Sequence, residues 1–73
     1  MKKIIIFEVI TDSGASAAIF RHYKNAEFYI FNMDSCLSRK YIRKTFVDKR
    51  DRNYRNVLWR LAMSAKRLRE VRV

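Results

Sequence analysis

The topology of the chain depends on the segment SRKYIRKTFVDKR, residues 38–50, in which two basic pairs lie four residues apart. Arg39-Lys40 and Arg43-Lys44 recur at a spacing close to one helical turn, which would place both pairs on one side of a helix. The less polar residues that follow each pair would lie on the other side: Tyr41, Ile42, Thr45 and Phe46. The spacing therefore predicts an amphipathic, strongly basic helix.

The helical pattern continues toward the C-terminus. Asp34 or Ser35 can N-cap the first helix, which would begin near Cys36. The polar segment DKRDRN, residues 48–53, contains two aspartates that can cap a second helix. Apolar residues then recur at helical spacing along one narrow face: Tyr54, Val57, Leu58, Leu61, Ala65 and Leu68. We therefore expect two C-terminal helices, rather than one long helix through both segments.

The N-terminal part has the residue pattern of strands. Residues 3–10, KIIIFEVI, are mostly β-branched or aromatic, and the cluster TDSG at residues 11–14 provides a turn whose glycine accepts positive φ. Residues 17–23 and 27–33 have a similar composition and are separated by KNA, which predicts a second hairpin. We expect a three-stranded antiparallel meander followed by the two helices, an α+β fold of order βββαα.

Both faces of this predicted sheet are apolar. In the first strand Ile4 and Ile6 alternate with Ile5, Phe7 and Val9, and alternate residues of a strand point to opposite faces. One face would pack against the helices, which leaves the second face for another occupant. Either a second subunit covers that face in a homodimer, or the face is an aromatic binding platform.

Length and composition restrict the class of protein. The 73 residues, 49% of them hydrophobic, predict one small folded domain over residues 1–73. A single cysteine, Cys36, excludes an internal disulfide, and Cys36 with the one histidine, His22, is too small a set for a structural zinc site. The start MKKIIIF is interrupted by Glu8 and Asp12, which is not typical of a signal peptide. We expect a cytoplasmic protein without a cofactor and without a membrane span.

The charge is concentrated in the C-terminal half. Residues 1–33 carry four Lys or Arg and three Asp or Glu, whereas residues 34–73 carry thirteen and four. The chain is thus predicted to have a near-neutral, β-rich part, residues 1–33, and a basic, helical part, residues 34–73. Such an asymmetry is typical of proteins that bind a polyanion, above all nucleic acid.

Two groups of basic residues are the candidate contacts to DNA or RNA phosphates. The first comprises Arg39, Lys40, Arg43, Lys44 and Arg50, and the second comprises Arg52, Arg55, Arg60, Lys66 and Arg67. On the helical wheel of the last segment, Trp59 and Met63 lie away from the apolar face, among the second group. Trp59 could stack on a base, although half-burial against the sheet or the first helix is the more common state of a tryptophan in a small domain.

The sequence does not indicate catalysis. His22 beside Arg21 and Lys24 is the only candidate general base, and no Gly-rich phosphate loop, metal-ligand cluster or nucleophile motif is present. We therefore predict a small non-enzymatic nucleic-acid-binding protein. The alternative is a protein-binding regulator, such as a phage-type inhibitor, that docks on an acidic surface and uses Trp59, Met63 or an aromatic sheet face as its anchor.

Overall fold

Residues 2–33 and 39–72 are described in a computed structural model of the protein. Their elements follow in chain order: β1 (Lys3–Thr11), β2 (Ser16–Phe20), α1 (Tyr23–Phe28), a π-helical segment (Tyr29–Met33), β3 (Lys40–Asp48) and α2 (Tyr54–Arg72). The strands form one antiparallel sheet in the order β2-β1-β3. The α+β class and the three-stranded antiparallel sheet are confirmed. The predicted order βββαα is wrong, because a helical segment lies between the second and third strands.

Residues 40–48 form a strand, so the predicted basic helix is wrong. Ile42 pairs with Val9 and Val47 pairs with Ile4 across the β1–β3 ladder. Five residues of this strand are β-branched or aromatic, which favours a pleated strand over a helix: Tyr41, Ile42, Thr45, Phe46 and Val47. The predicted start of the helix, residues 34–36, lies outside the described residues.

The predicted third strand is also wrong, since residues 23–28 form α1 and residues 29–33 continue it as a π-helical segment. Since β1 already pairs with β2 and β3, these residues find no free edge on the central strand. Instead Ala26, Tyr29 and Ile30, at helical spacing, pack against the sheet. Ala26 is fully buried, and the Tyr29 ring lies 5.6 Å from that of Phe20. The predicted KNA turn is therefore part of α1.

One face of the sheet packs against α2. Ile4, Ile6 and Ile19 are buried there, with Val47 of β3 beside them. From α2, the side chains that pack on this cluster are Tyr54, Val57 and Leu61. The predicted apolar face of the last helix is thus confirmed at these positions, whereas Leu58 is among the exposed large hydrophobic residues.

The opposite face packs against α1 and the π-helical segment. Its buried residues include Val9, Ala18 and Phe20, to which Leu68 near the end of α2 is added. The Tyr23 ring meets the Phe7 ring edge to face, with 5.8 Å between the centroids. Both faces therefore have helical cover. Part of this second face, at Ile5 and Phe46, nevertheless stays exposed.

The β1–β2 turn has the predicted chemistry. Gly14 has a φ of 87°, and its N–H donates to the Thr11 carbonyl over 2.9 Å. The Thr11 N–H donates to the Ala15 carbonyl over 2.9 Å, and the Thr11 hydroxyl accepts from the Ala15 N–H over 3.2 Å. A left-handed backbone at this position suits glycine because it has no Cβ.

Replacement of Gly14 by alanine should destabilise the protein by about 1–2 kcal/mol, the usual cost of a left-handed backbone with a Cβ. A Cβ at Gly14 would have no heavy atom within 4 Å, so the loss would come from the backbone alone. Urea unfolding of Gly14→Ala and Gly14→Asn measures this, and asparagine should cost less because it tolerates the left-handed region. Equal stability of Gly14→Ala and the wild type would contradict the turn geometry.

Candidate nucleic-acid interface

The structure separates the first predicted group of basic residues. Lys40 and Lys44 lie on one face of the β3 strand and Arg43 lies on the other, because alternate residues of a strand point in opposite directions. Arg39 precedes the strand and Arg50 lies in the turn that follows it. These five side chains do not form the predicted single stripe, which depended on a helix.

Arg43 and Arg60 are held by a polar network around Glu8. Arg43 Nη2 donates to Glu8 Oε1 over 2.7 Å, and the Glu8 side chain is only 13% exposed. Arg60 Nη2 donates to Ser16 Oγ over 2.7 Å and contacts the Ser16 carbonyl oxygen at 3.4 Å. Since a hydrogen bond also joins Ser16 to Glu8, the network connects β1, β2, β3 and α2. Both arginines thus have structural partners.

The network keeps Glu8 ionised. Burial acts to raise the pKa of Glu8, but hydrogen bonds with Ser16 and Arg43 and the positive charges of Arg43 and Arg60 lower it by more. The resulting pKa lies below the ordinary value of 4.5. In turn, the hydrogen bond to Glu8 raises the pKa of Arg43. The pair is therefore a charged, hydrogen-bonded contact across the β1–β3 ladder, in which Glu8 and Arg43 are direct partners.

Trp59 lies on the solvent side of α2. Its side chain is 62% exposed, so the half-burial favoured by the sequence is wrong. At about 100° per residue, Arg55 and Lys66 lie within roughly 40° of Trp59 on the helical wheel, and both are exposed. This part of the second predicted group is therefore an aromatic ring flanked by cations, which we call the Trp59 surface, comprising Arg55, Trp59, Met63, Lys66 and Arg67.

A small hollow borders the Trp59 surface where α2 crosses β2. It measures about 250 Å³ and is lined by residues of both elements: Ala17, Ala18, Trp59, Arg60, Met63, Ser64 and Arg67.

Arg52 is exposed in the turn before α2. In that turn the Asp51 carboxylate accepts the Asn53 N–H over 2.9 Å. This hydrogen bond lies within the turn that precedes α2, since the first helical residue is Tyr54.

A second basic surface was not predicted from the sequence. A hollow of about 620 Å³ lies over the uncovered part of the sheet, and we call its lining the Ile5–Phe46 surface: Lys2, Lys3, Ile5, Phe46, Asp48 and Arg50. Lys44 borders it, with Nζ 5.6 Å from the centroid of the Phe46 ring. The sequence analysis instead places Phe46 on the less polar side of the predicted helix. The only sequence signal was the β propensity of residues 41–47, which could have indicated a strand.

Among the described residues, Asp48 is the one acid that lines the Ile5–Phe46 surface. Its carboxylate accepts the Arg50 N–H over 2.8 Å and contacts Arg50 Nε at 3.4 Å. The hydrogen bonds from the Arg50 main chain and side chain lower the pKa of Asp48. This carboxylate is thus engaged within the protein, and the surface as a whole carries an excess of positive charge.

The described residues contain no group of three or more His, Cys, Asp or Glu side chains placed to hold a metal ion. His22 is exposed, and it lines a hollow beside Ile5 together with Arg21 and Lys49. Among the described helices, none has the length and apolar character needed to cross a membrane.

Comparisons of the chain with protein-family models, with curated proteins and with solved structures gave no match.

Replacement of Glu8 by glutamine should cost about 1–3 kcal/mol of stability at neutral pH, because it removes a charged partner from Arg43 inside the network. Glu8 has a lowered pKa, so its stabilising effect is complete above about pH 4.5 and is lost as the pH falls through the lower, folded-state pKa. The difference between wild type and Glu8→Gln should therefore shrink in acid. Urea unfolding at a series of pH values measures this.

Glu70→Gln is the matched control. Because Glu70 is exposed on α2, its replacement should leave the free energy of unfolding nearly unchanged at every pH. The lowered pKa of Asp48 acts alike in all three proteins and cancels in the comparison. A pH-independent difference for Glu8→Gln would show that the carboxylate charge does not stabilise the fold.

Proposed function

We propose that the protein is a small non-enzymatic binding protein whose basic C-terminal half contacts the phosphates of DNA or RNA. The observation that carries this proposal is Trp59, a 62% exposed aromatic ring flanked by the cations of α2. Exposed aromatic side chains beside Arg or Lys are the combination with which proteins stack on bases while neutralising the adjacent phosphates.

The charges of the Trp59 surface support phosphate binding. Arg55, Lys66 and Arg67 are exposed, and among the residues that the structure describes they form no ion pair. In the α2 sequence the one acid is Glu70. A face that served only for solubility would mix both signs. Each unpaired cation can instead replace a condensed counterion on nucleic acid, which makes affinity depend on salt.

The predicted contacts differ in how free they are to reach phosphate. Arg43 and Arg60 are engaged with Glu8 and Ser16, so we assign them to positioning β3 and α2. Arg52, Arg55, Lys66 and Arg67 are the principal candidates beside Trp59. Arg50 lines the Ile5–Phe46 surface and Lys44 borders it, on the other face of the sheet from the cluster on which α2 packs. Arg39 and Lys40 lie at the start of β3 as peripheral candidates.

Titration with single-stranded DNA, duplex DNA and RNA should quench the fluorescence of Trp59, the single tryptophan of the chain, and the affinity should fall steeply with salt. Each phosphate contact that is removed should lower the slope of log affinity against log salt by about 1. Lys66→Gln and Arg55→Gln should each show this reduction.

Lys24→Gln provides a matched control, because Lys24 is an exposed lysine on α1 in the near-neutral part of the chain. It should leave the salt slope unchanged. Absence of binding to all three nucleic acids at low salt would overturn the proposed function. Equal slopes for Lys66→Gln and Lys24→Gln would remove the Trp59 surface from it.

A protein-binding regulator is the second candidate, favoured by one specific observation. Leu58, Trp59 and Met63 are 42%, 62% and 42% exposed on consecutive turns of α2, beside the basic residues of the same helix. Tryptophan and arginine are the residues that most often carry the energy of protein interfaces. An acidic partner surface would fit this patch. Protein that copurifies with nucleic acid at low salt supports the first candidate, whereas an acidic protein retained by wild type and lost with Trp59→Ala supports the second.

A further inference from the structure

We propose that the Ile5–Phe46 surface binds single-stranded nucleic acid, with a base stacked on Phe46 and the adjoining phosphates held by Lys3, Lys44 and Arg50. This inference rests on the proposed function. It goes further in naming a second site, which includes N-terminal residues, and the strandedness of the ligand.

Ile5 and Phe46 form an exposed apolar patch on two paired strands of the sheet. Ile5 and Phe46 are direct partners in the β1–β3 ladder, and they remain 37% and 59% exposed. On the same face the cover supplied by α1 reaches Phe7, whose ring meets that of Tyr23. The Ile5–Phe46 pair is the next pair on this face after Phe7, and it lies beyond the cover of α1. A paired strand holds the Phe46 ring in place without the ordering cost of a loop.

Positively charged side chains surround this patch. Lys2, Lys3 and Arg50 line the hollow, and the Lys44 ammonium lies over the Phe46 ring, 5.6 Å from its centroid, where a base that stacks on that face would take its place. The one acid in the lining is held by Arg50. Cations beside an aromatic ring match a nucleotide, in which a flat base is joined to a phosphate.

The basic lining also continues along the sheet. A neighbouring hollow shares Lys3 and Ile5 with the Ile5–Phe46 surface and adds Arg21, His22 and Lys49. The described residues that line it include no acidic side chain. A strand that places a base on Phe46 therefore meets further cations in the direction of β2, as expected for a track that follows a sugar-phosphate backbone.

The geometry favours a single strand over a duplex. Inside a duplex both faces of each base are covered by neighbouring bases, so a ring on a flat sheet can stack only on a base that is already unstacked. A second copy of the chain is a poorer occupant. It would bring two sets of the same cations face to face in a protein that already carries a net charge of +10.

The decisive test is Phe46→Ala, measured by the anisotropy of a labelled oligothymidylate of about 12 nucleotides, and of a labelled two-strand duplex without a loop, at low salt. Loss of one base–aromatic stack should weaken single-strand affinity about 5- to 150-fold and leave duplex affinity within about twofold. Phe46→Tyr keeps an aromatic face and should retain single-strand affinity. Thermal unfolding followed by circular dichroism checks that each variant folds.

A second variant reads the site directly and does not depend on loss of binding. Combining Trp59→Phe with Phe46→Trp moves the single fluorophore of the chain to the sheet. Oligothymidylate should quench its fluorescence at the concentrations that saturate the anisotropy signal, and the two-strand duplex should quench it much less. Trp59→Phe alone provides the background.

The outcomes separate this inference from the proposed function. If wild type binds neither oligonucleotide, both fall. If wild type binds but Phe46→Ala binds the single strand as tightly, or the relocated tryptophan is not quenched, the Ile5–Phe46 site falls while phosphate binding elsewhere stands. If wild type sediments as a dimer and Phe46→Ala as a monomer, the surface is an interface between copies and this inference is overturned.

Discussion

The largely buried carboxylate of Glu8 makes the polar contacts that fix how β2, β3 and α2 are arranged around β1. Glu8 lies in the central strand β1, and its network reaches Ser16 of β2, Arg43 of β3 and Arg60 of α2. A shift of β3 by one residue would turn Arg43 to the wrong face and leave a buried charge without its partner. The polar network therefore specifies the register, while the isoleucine cluster beneath α2 supplies the apolar burial.

This network also divides the basic residues by role. An arginine that holds Glu8 or Ser16 is fixed in the structure, and Arg50 beside Phe46 likewise pairs with Asp48. Arg55, Lys66 and Arg67 on the solvent side of α2 form no ion pair in the part of the chain described. The two aromatic surfaces lie on opposite sides of the sheet, because α2 covers the Ile4–Ile6 face and Phe46 points to the other. The excess charge thus accompanies exposed aromatic rings on both sides of the sheet, Trp59 on one and Phe46 on the other.

Local signals predicted what depends on local chemistry. The first strand, the turn at Gly14 and the helix from Tyr54 follow from β propensity, positive φ and helical periodicity. The assignment of residues 27–33 to helix and of residues 40–48 to strand does not follow from local signals, since both segments are rich in strand-forming residues. It depends on which of the two segments pairs with the free edge of β1. The Glu8–Arg43 contact spans 35 residues of sequence, so no local pattern reveals it. For the same reason the Ile5–Phe46 surface could not be predicted, because its two residues meet only through the β1–β3 pairing. Exposure of Trp59 needed the position of α2.

The position of β3 at the edge of the sheet has a further effect on how copies of the chain meet. Within the described residues, this nine-residue strand pairs on one side only, with β1. Unpaired strand edges are templates for aggregation, and natural proteins protect them with charged side chains, lysine above all. Lys40, Arg43 and Lys44 place such charges along β3, next to the exposed rings of Tyr41 and Phe46. The positive charge along β3 therefore opposes edge-to-edge growth of the sheet into larger assemblies.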